Sequence, residues 1–93
     1  MIVSFKHKGL EGFWKTESKR GIQPDHAAKL DRILTSLNEA HQPVDLIGFP
    51  GYRTHELQGQ DRGRWSIWVN GNWRVTFRFI GTDVELIDYE DYH

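Results

Sequence analysis

Residues 64–79 decide the fold of this chain, and they read Arg-Trp-Ser-Ile-Trp-Val-Asn-Gly-Asn-Trp-Arg-Val-Thr-Phe-Arg-Phe. Two runs rich in aromatic and β-branched residues flank Asn70-Gly71-Asn72, a pattern that predicts a β-hairpin. Because side chains alternate between the two faces of a strand, one face of this hairpin is wholly apolar. Its members are Trp65, Ile67, Val69, Trp73, Val75, Phe77 and Phe79. We expect this face to lie in the core.

The length of the turn follows from matching the apolar faces of the two strands. A two-residue loop would place Ile67 opposite Arg74, whereas a three-residue loop places it opposite Val75. We therefore predict the three-residue loop, with Gly71 or Asn72 in the left-handed region of backbone space.

The opposite face of the hairpin is basic, because Arg64, Arg74 and Arg78 share it with Trp68. In the predicted register Arg64 lies opposite Arg78. Two facing arginines repel each other, so either an acid lies between them or this face receives an anion.

A second turn, of two residues at 81–82, is predicted to bring a last strand against the hairpin. It places Arg78 opposite Glu85, which gives that arginine an ordinary cross-strand partner. The same register places Arg74 opposite Tyr89, so Arg74 has aromatic neighbours and no acid.

Two helices are predicted before the hairpin. The first carries Leu10, Phe13 and Trp14 at helical spacing, and the second begins near Pro24 and ends before Pro43. The second helix has an apolar stripe that suits packing on a sheet. The stripe comprises Ala27, Leu30, Ile33, Leu34 and Leu37.

Short strands at residues 2–5 and 52–58 complete the predicted elements. Together they predict an α+β fold: two N-terminal helices packed on a small, mainly antiparallel sheet of about four strands. We expect residues 1–93 to form a single domain. His26 and His41, near the ends of the second helix, are predicted to be exposed.

Composition narrows the class of protein. The chain has no cysteine, no apolar run long enough to cross a membrane, and no signal-peptide core near its start. We therefore expect a cytoplasmic protein. The net charge is −1, yet residues 1–20 and 51–79 each carry five Lys or Arg against two acids. Such local basic regions can bind a polyanion.

The polar residues near the basic face suit metal-free RNA cleavage. They are Arg74 with its neighbours Trp68 and Tyr89, and in addition His55 and the terminal Asp91-Tyr92-His93. RNA cleavage needs a base for the 2′-OH, a cation at the phosphate and an acid for the leaving oxygen. The five histidines lack metal-ligand spacing, and no phosphate-binding glycine loop or serine-nucleophile motif is present. We predict no metal and no cofactor.

Four stretches of sequence add a family resemblance. They are residues 4–11, Ser-Phe-Lys-His-Lys-Gly-Leu-Glu; 50–55, Pro-Gly-Tyr-Arg-Thr-His; 65–77, containing Asn-Trp-Arg-Val-Thr-Phe; and 89–93, Tyr-Glu-Asp-Tyr-His. Together they resemble the HigB toxins of the RelE/ParE-like superfamily of toxin–antitoxin systems, across essentially the whole chain.

The resemblance implies a function and a set of partners. It implies a ribosome-dependent mRNA endonuclease that cuts translated mRNA at the A site. It also implies inhibition by a HigA-type helix-turn-helix antitoxin, through which the pair would bind operator DNA. Two alternatives stay open: a ParE-like toxin that inhibits DNA gyrase without cutting RNA, and an inactive relic that only binds antitoxin.

When the functional positions of the family are transferred to this sequence, the resemblance implies five catalytic residues. They are His55, Arg74, Asp91, Tyr92 and His93. His55 shares strand parity with Leu57, so an inward-facing structural histidine is an alternative unless a bulge re-aims it.

Contacts with RNA or the ribosome are expected from six further residues. They are Lys6, Lys8, Arg53, Arg64, Trp68 and Arg78. The chain departs from the family at Leu57-Gln58-Gly59, where members often carry lysine in place of Gln58, so one phosphate contact is expected to be missing.

Overall fold

The hairpin is the centre of a four-stranded antiparallel sheet. The computed structural model describes residues 1–92, and its strands are β1 (His55–Glu56), β2 (Arg64–Asn70), β3 (Trp73–Ile80) and β4 (Asp83–Asp91), ordered β1-β2-β3-β4. Two helices, α1 (Lys8–Thr16) and α2 (Ala27–Glu39), precede them. Short 3-10 turns occupy Pro24–His26, Pro43–Leu46 and Gly59–Asp61. The predicted α+β architecture is confirmed.

The core lies between α2 and the inner face of the sheet. All five residues of the predicted apolar stripe on α2 are buried. On the sheet, Ile67, Val69, Val75 and Phe77 are buried, while Trp65, Trp73 and Phe79 are partly buried against them. The apolar face read from the sequence is therefore the core face.

Two predicted strands are shorter than expected. Residues 2–5 form only isolated parallel bridges beside β4, and residues 52–58 reduce to the two residues of β1. Backbone torsions explain the second case, because Gly51 has φ +81° and Arg53 has φ +50°. Positive φ values turn the chain out of the extended conformation, so regular pairing begins only at His55.

The register of β2 and β3 agrees with prediction except at the turn. Ile67 lies opposite Val75 and Arg64 opposite Arg78. The ladder shifts between Trp68 and Asn70, so Val69 is an extra, bulged residue. The predicted three-residue loop is therefore wrong in detail: the chain uses a bulge and a two-residue turn. Gly71, with φ +56°, is left-handed as predicted.

The register of β3 and β4 agrees with prediction only near the second turn. Arg78 lies opposite Glu85 as expected, but the ladder then shifts at a bulge containing Leu86, whose φ is +54°. The bulged N–H of Leu86 donates to the Ser4 hydroxyl at 2.9 Å. Beyond the bulge, Arg74 lies opposite Glu90. The predicted pairing of Arg74 with Tyr89 is wrong.

Because of this one-residue shift, the residues of β4 beyond the bulge point to the opposite faces from those predicted. Tyr89 lies opposite Val75 and points into the core, where it is 4% exposed. By alternation, Asp88, Glu90 and Tyr92 belong to the outer face. The bulge thus places Glu90 and Tyr92 on the same face as Arg74, whereas Asp91, which lies opposite Trp73, belongs to the other face.

The start of α1 packs directly on the segment before α2. A Cβ atom built on Gly9 would lie 2.6 Å from the Gly21 carbonyl oxygen, and one built on Gly21 would lie 2.4 Å from the Gly9 Cα. Only glycines allow this approach of two backbones. The contact fixes where the first helix enters the fold.

Within residues 1–92, no helix is both long enough and apolar enough to cross a membrane.

Candidate functional site

The outer face of the sheet gathers most of the predicted site residues. One row across the sheet runs from Trp68 on β2 to Arg74 on β3 and Glu90 on β4. Residues directly opposite in antiparallel strands point to the same side. A second, neighbouring row across the sheet runs from His55 on β1 to Ser66 on β2. His55 and Arg74 therefore share one face, and two strand spacings plus one step of two residues along the strand separate their Cα atoms by about 12 Å.

Arg74 is the cation at the centre of this face. Its guanidinium carbon lies 4.1 Å from the centre of the Tyr92 ring, a cation–π geometry. Within residues 1–92 no carboxylate forms an ion pair with it, and its buried Nε–H has no hydrogen-bond acceptor. A buried donor without a partner is costly, so this site favours an added anion.

The C-terminal segment is held beside Arg74 by backbone pairing. The Tyr92 N–H donates to the Asn72 carbonyl at 2.8 Å, and its side chain is 36% exposed. Asp91 is exposed and lies opposite Trp73 at the end of β4. His93, a predicted catalytic residue, lies outside the described residues.

His55 is exposed and lies on the outer face, opposite Ser66. The alternative of an inward structural histidine is therefore wrong, because His55 pairs with Ser66 on the face opposite the core. The His55 Nδ1 lies 2.8 Å from the Arg53 carbonyl oxygen. A carbonyl only accepts, so Nδ1 carries the proton and Nε2 of the neutral ring is a free acceptor. That nitrogen is the one suited to act as a base.

Arg64 forms the most extensive side-chain network on this face. Its Nη2 donates to the Glu90 carboxylate at 2.8 Å and to the Thr76 hydroxyl at 2.7 Å, and its Nη1 to Asp61 at 3.1 Å. The Thr76 hydroxyl donates in turn to Glu90 at 2.7 Å. Burial opposes the charge of Arg64, but Asp61 and Glu90 outweigh it and raise the pKa of the guanidinium.

A second cationic cluster surrounds Trp68. The Arg53 guanidinium carbon and the Lys29 Nζ lie 4.1 Å and 4.3 Å from its ring centre. Lys29 also donates to the Gly51 and Val69 carbonyls at 3.0 Å each. Burial, then Arg32 and Arg53, lower the pKa of Lys29. No sequence motif points to Lys29, because its contacts with Gly51 and Val69 are 22 and 40 residues distant along the chain.

The other three predicted RNA contacts are all exposed. Arg78 is exposed on β3, four residues along the strand from Arg74. Lys6 and Lys8 are exposed where the N-terminal segment passes β4 and α1 begins. The RNA-binding role of these three residues stays a prediction.

Comparison with known proteins identifies the family. A family model described as the RelE-like toxin of the type II toxin–antitoxin system HigB matches residues 3–93. The chain belongs to the HigB-like toxin family. The resemblance read from its four sequence stretches is confirmed.

Two curated relatives match this HigB-like chain over its full length. Endoribonuclease HigB of Proteus vulgaris is 37% identical over 93 residues, covering 100% of both chains. Toxin HigB-1 of Vibrio cholerae serotype O1 is 34% identical over 94 residues, covering 100% of this chain and 98% of that protein.

A solved structure supports the fold independently. The crystal structure of a YafQ mutant from E. coli matches with a TM-score of 0.61 and 17% sequence identity, covering 98% of this chain and 91% of that chain. At this identity the likeness concerns the fold alone.

A buried polar cluster of this HigB-like chain lies behind the site, on the core side of β4. His26 is 6% exposed, so its predicted exposure is wrong. Its Nδ1 lies 2.6 Å from the Tyr89 hydroxyl, which also receives the Gln23 N–H at 3.4 Å. Within residues 1–92 this hydroxyl has no other acceptor, so we assign it as the donor to His26. His26 and Tyr89 are 63 residues apart in the sequence, so no local pattern predicts their contact.

This cluster makes the stability of the fold depend on pH. Burial lowers the pKa of His26, and Lys29 adds to that effect while Asp25 opposes it. The unfolded chain therefore binds a proton near the ordinary value of 6.5, before the folded chain does. Stability is complete above that pH and falls as the pH drops through and below it. Protonation also removes the acceptor of the Tyr89 hydroxyl.

We expect the urea midpoint of the wild type to fall between about pH 7.5 and about pH 5. His26→Gln is expected to remove part of that fall, whereas His41→Gln, at an exposed histidine beyond the other end of α2, is expected to leave it unchanged. Equal pH dependence in all three proteins would contradict the assignment of the effect to His26.

Proposed function

We propose that this chain is the toxin of a toxin–antitoxin pair and a ribosome-dependent endoribonuclease that cuts translated mRNA at the A site. Membership of the HigB-like toxin family and full-length similarity to a protein named Endoribonuclease HigB support the class of activity. The inhibitory partner is a HigA-type antitoxin, and operator DNA is bound through that partner.

Arg74 carries this proposal. It is a half-buried arginine on an open sheet face, with an unpaired Nε–H and no ion pair within residues 1–92. Tyr92 supports the guanidinium from the C-terminal segment. A guanidinium in this state suits a phosphodiester oxygen, which offers both charge and acceptors.

The chemistry needs two proton transfers around that phosphate. A base, His55 through Nε2 or His93 assisted by Asp91, takes the proton of the 2′-OH. The 2′-oxygen attacks phosphorus, and Arg74 stabilises the charge of the pentavalent phosphate. The other histidine, or Tyr92, protonates the 5′-oxygen as the P–O bond breaks. The products are a 2′,3′-cyclic phosphate, which hydrolyses to a 3′-phosphate, and a 5′-hydroxyl end.

The cluster around Trp68 extends the site toward the rest of the RNA. Arg53 and Lys29 already cover the Trp68 ring, so we assign this cluster to phosphate contacts rather than base stacking. Within residues 1–92 neither cation has an ion pair. Lys6, Lys8 and Arg78 are proposed to add weaker, salt-sensitive contacts with the ribosome or RNA.

The direct test is to express the chain in a host without antitoxin and to map the 5′ ends of mRNA. We expect growth arrest and cuts in translated messages at codons in the ribosomal A site, which cease when initiation is blocked. Cuts in untranslated RNA would contradict ribosome dependence. Growth arrest with DNA damage and intact mRNA would instead support a gyrase inhibitor, and antitoxin binding without growth arrest would support a relic.

A further inference from the structure

Arg74 and Glu90 lie directly opposite each other on β3 and β4, on the same face of the sheet. Side chains in such positions have Cβ atoms about 5 Å apart, so opposite charges ordinarily pair. Here the Glu90 carboxylate accepts from Arg64 and Thr76 instead, at 2.8 Å and 2.7 Å. The Arg74 guanidinium contacts the Tyr92 ring instead.

The network that holds Glu90 is well anchored. Asp61 fixes the other arm of the Arg64 guanidinium at 3.1 Å. Thr76, fully buried, accepts from Arg64 and donates to Glu90, so it bridges β2 and β4. Arg64 and Glu90 are both largely covered, with side-chain exposures of 22% and 26%. Covered ion pairs are less screened by solvent than exposed ones.

We propose that Arg64 is a positioning residue that holds the Glu90 carboxylate away from Arg74 and so keeps Arg74 available for the scissile phosphate. Without Arg64, the nearest cation to Glu90 across the ladder is Arg74. An ion pair there would satisfy the unpaired Nε–H and oblige the phosphate to compete with a carboxylate for the same donors. The role first expected for Arg64, direct contact with RNA, predicts a different pattern of mutant effects.

The test is a double-mutant cycle on the full chain, with Arg64→Gln, Glu90→Gln and the double variant. Arg64→Gln is expected to lower cleavage of ribosome-bound mRNA about tenfold. Glu90→Gln keeps the shape of the acceptor and is expected to stay within about twofold of the wild type. The double variant is expected to recover to the level of Glu90→Gln, because no carboxylate remains to capture Arg74.

A second readout does not depend on cleavage, although the inference itself rests on the proposed function. The Nε–Hε NMR signal of Arg74 reports its hydrogen bonding. We expect this signal to move in Arg64→Gln and to return to the wild-type position in the double variant. Titration with inorganic phosphate should shift it in the wild type and the double variant, and less in Arg64→Gln.

These outcomes separate the two proposals. If the double variant cleaves as poorly as Arg64→Gln, or if the Arg74 signal is the same in Arg64→Gln and the wild type, the positioning role is overturned. The first of these results is the one a direct RNA contact of Arg64 predicts. If the wild type itself does not cleave, the proposed function fails, and the NMR cycle still decides whether Arg64 controls Arg74. Urea unfolding of each variant checks that the fold is intact.

Discussion

Arg74→Ala is expected to lower cleavage of ribosome-bound mRNA by about 100-fold or more, the effect of removing one preorganised donor from a developing oxyanion. The expectation follows from a guanidinium that contacts the Tyr92 ring and whose Nε–H has no acceptor among residues 1–92. Arg74→Lys keeps the charge but loses the planar fork of donors, so an intermediate rate is expected. Primer extension on a defined message measures the rate, and growth arrest after induction measures it in cells.

The matched control for this prediction is Arg20→Ala. Arg20 is an exposed arginine in the connection between the helices and has no role in the proposed site. The same loss of charge there is expected to leave cleavage unchanged. Full toxicity in both Arg74→Ala and His93→Ala would refute the assignment of the catalytic site.

Gly9→Ala is expected to destabilise the fold by about 3 kcal/mol, a cost typical of forced overpacking. The added Cβ would lie 2.6 Å from the Gly21 carbonyl oxygen, and the obstacle is backbone rather than a movable side chain. Gly21→Ala should have a similar effect, since its Cβ would lie 2.4 Å from the Gly9 Cα. The urea midpoint measures the change.

Gly12→Ala is the control, because it makes the same substitution in the same helix. A Cβ at Gly12 meets nothing within 4 Å. Alanine there is expected to stabilise α1 by about 0.5–1 kcal/mol through helix propensity. The urea midpoint should therefore fall in Gly9→Ala and rise in Gly12→Ala. Equal midpoints would show that the backbones at Gly9 and Gly21 separate at little cost.

The parts of the fold that the sequence predicted correctly depend on local patterns. A window of a few residues is enough to recognise the apolar stripe of α2, the alternation in β2 and β3, and the glycine in the turn. Family resemblance then supplied candidate site residues, and the structure brings His55, Arg74 and Tyr92 to one face.

The errors arose where distant groups decide the local conformation. Because of the bulge at Leu86, Arg74 lies opposite Glu90 rather than opposite Tyr89. The N–H of Leu86 donates to the hydroxyl of Ser4, which is 82 residues away in the sequence. One local signal was present: Leu86 and Ile87 are adjacent apolar residues and break the alternation of a strand. For Glu90 and its partner Arg64 no local signal exists, because their contact spans three strands.

The bulge at Leu86 also constrains how the C-terminal segment can change during evolution. Because side chains alternate with a period of two, one residue added or removed between the second turn and Asp88 would exchange the two faces of everything that follows. Glu90 and Tyr92 would then turn into the core and Tyr89 into solvent. We expect this tail to diversify by substitution and to resist single-residue insertions and deletions, although it lies at the end of the chain.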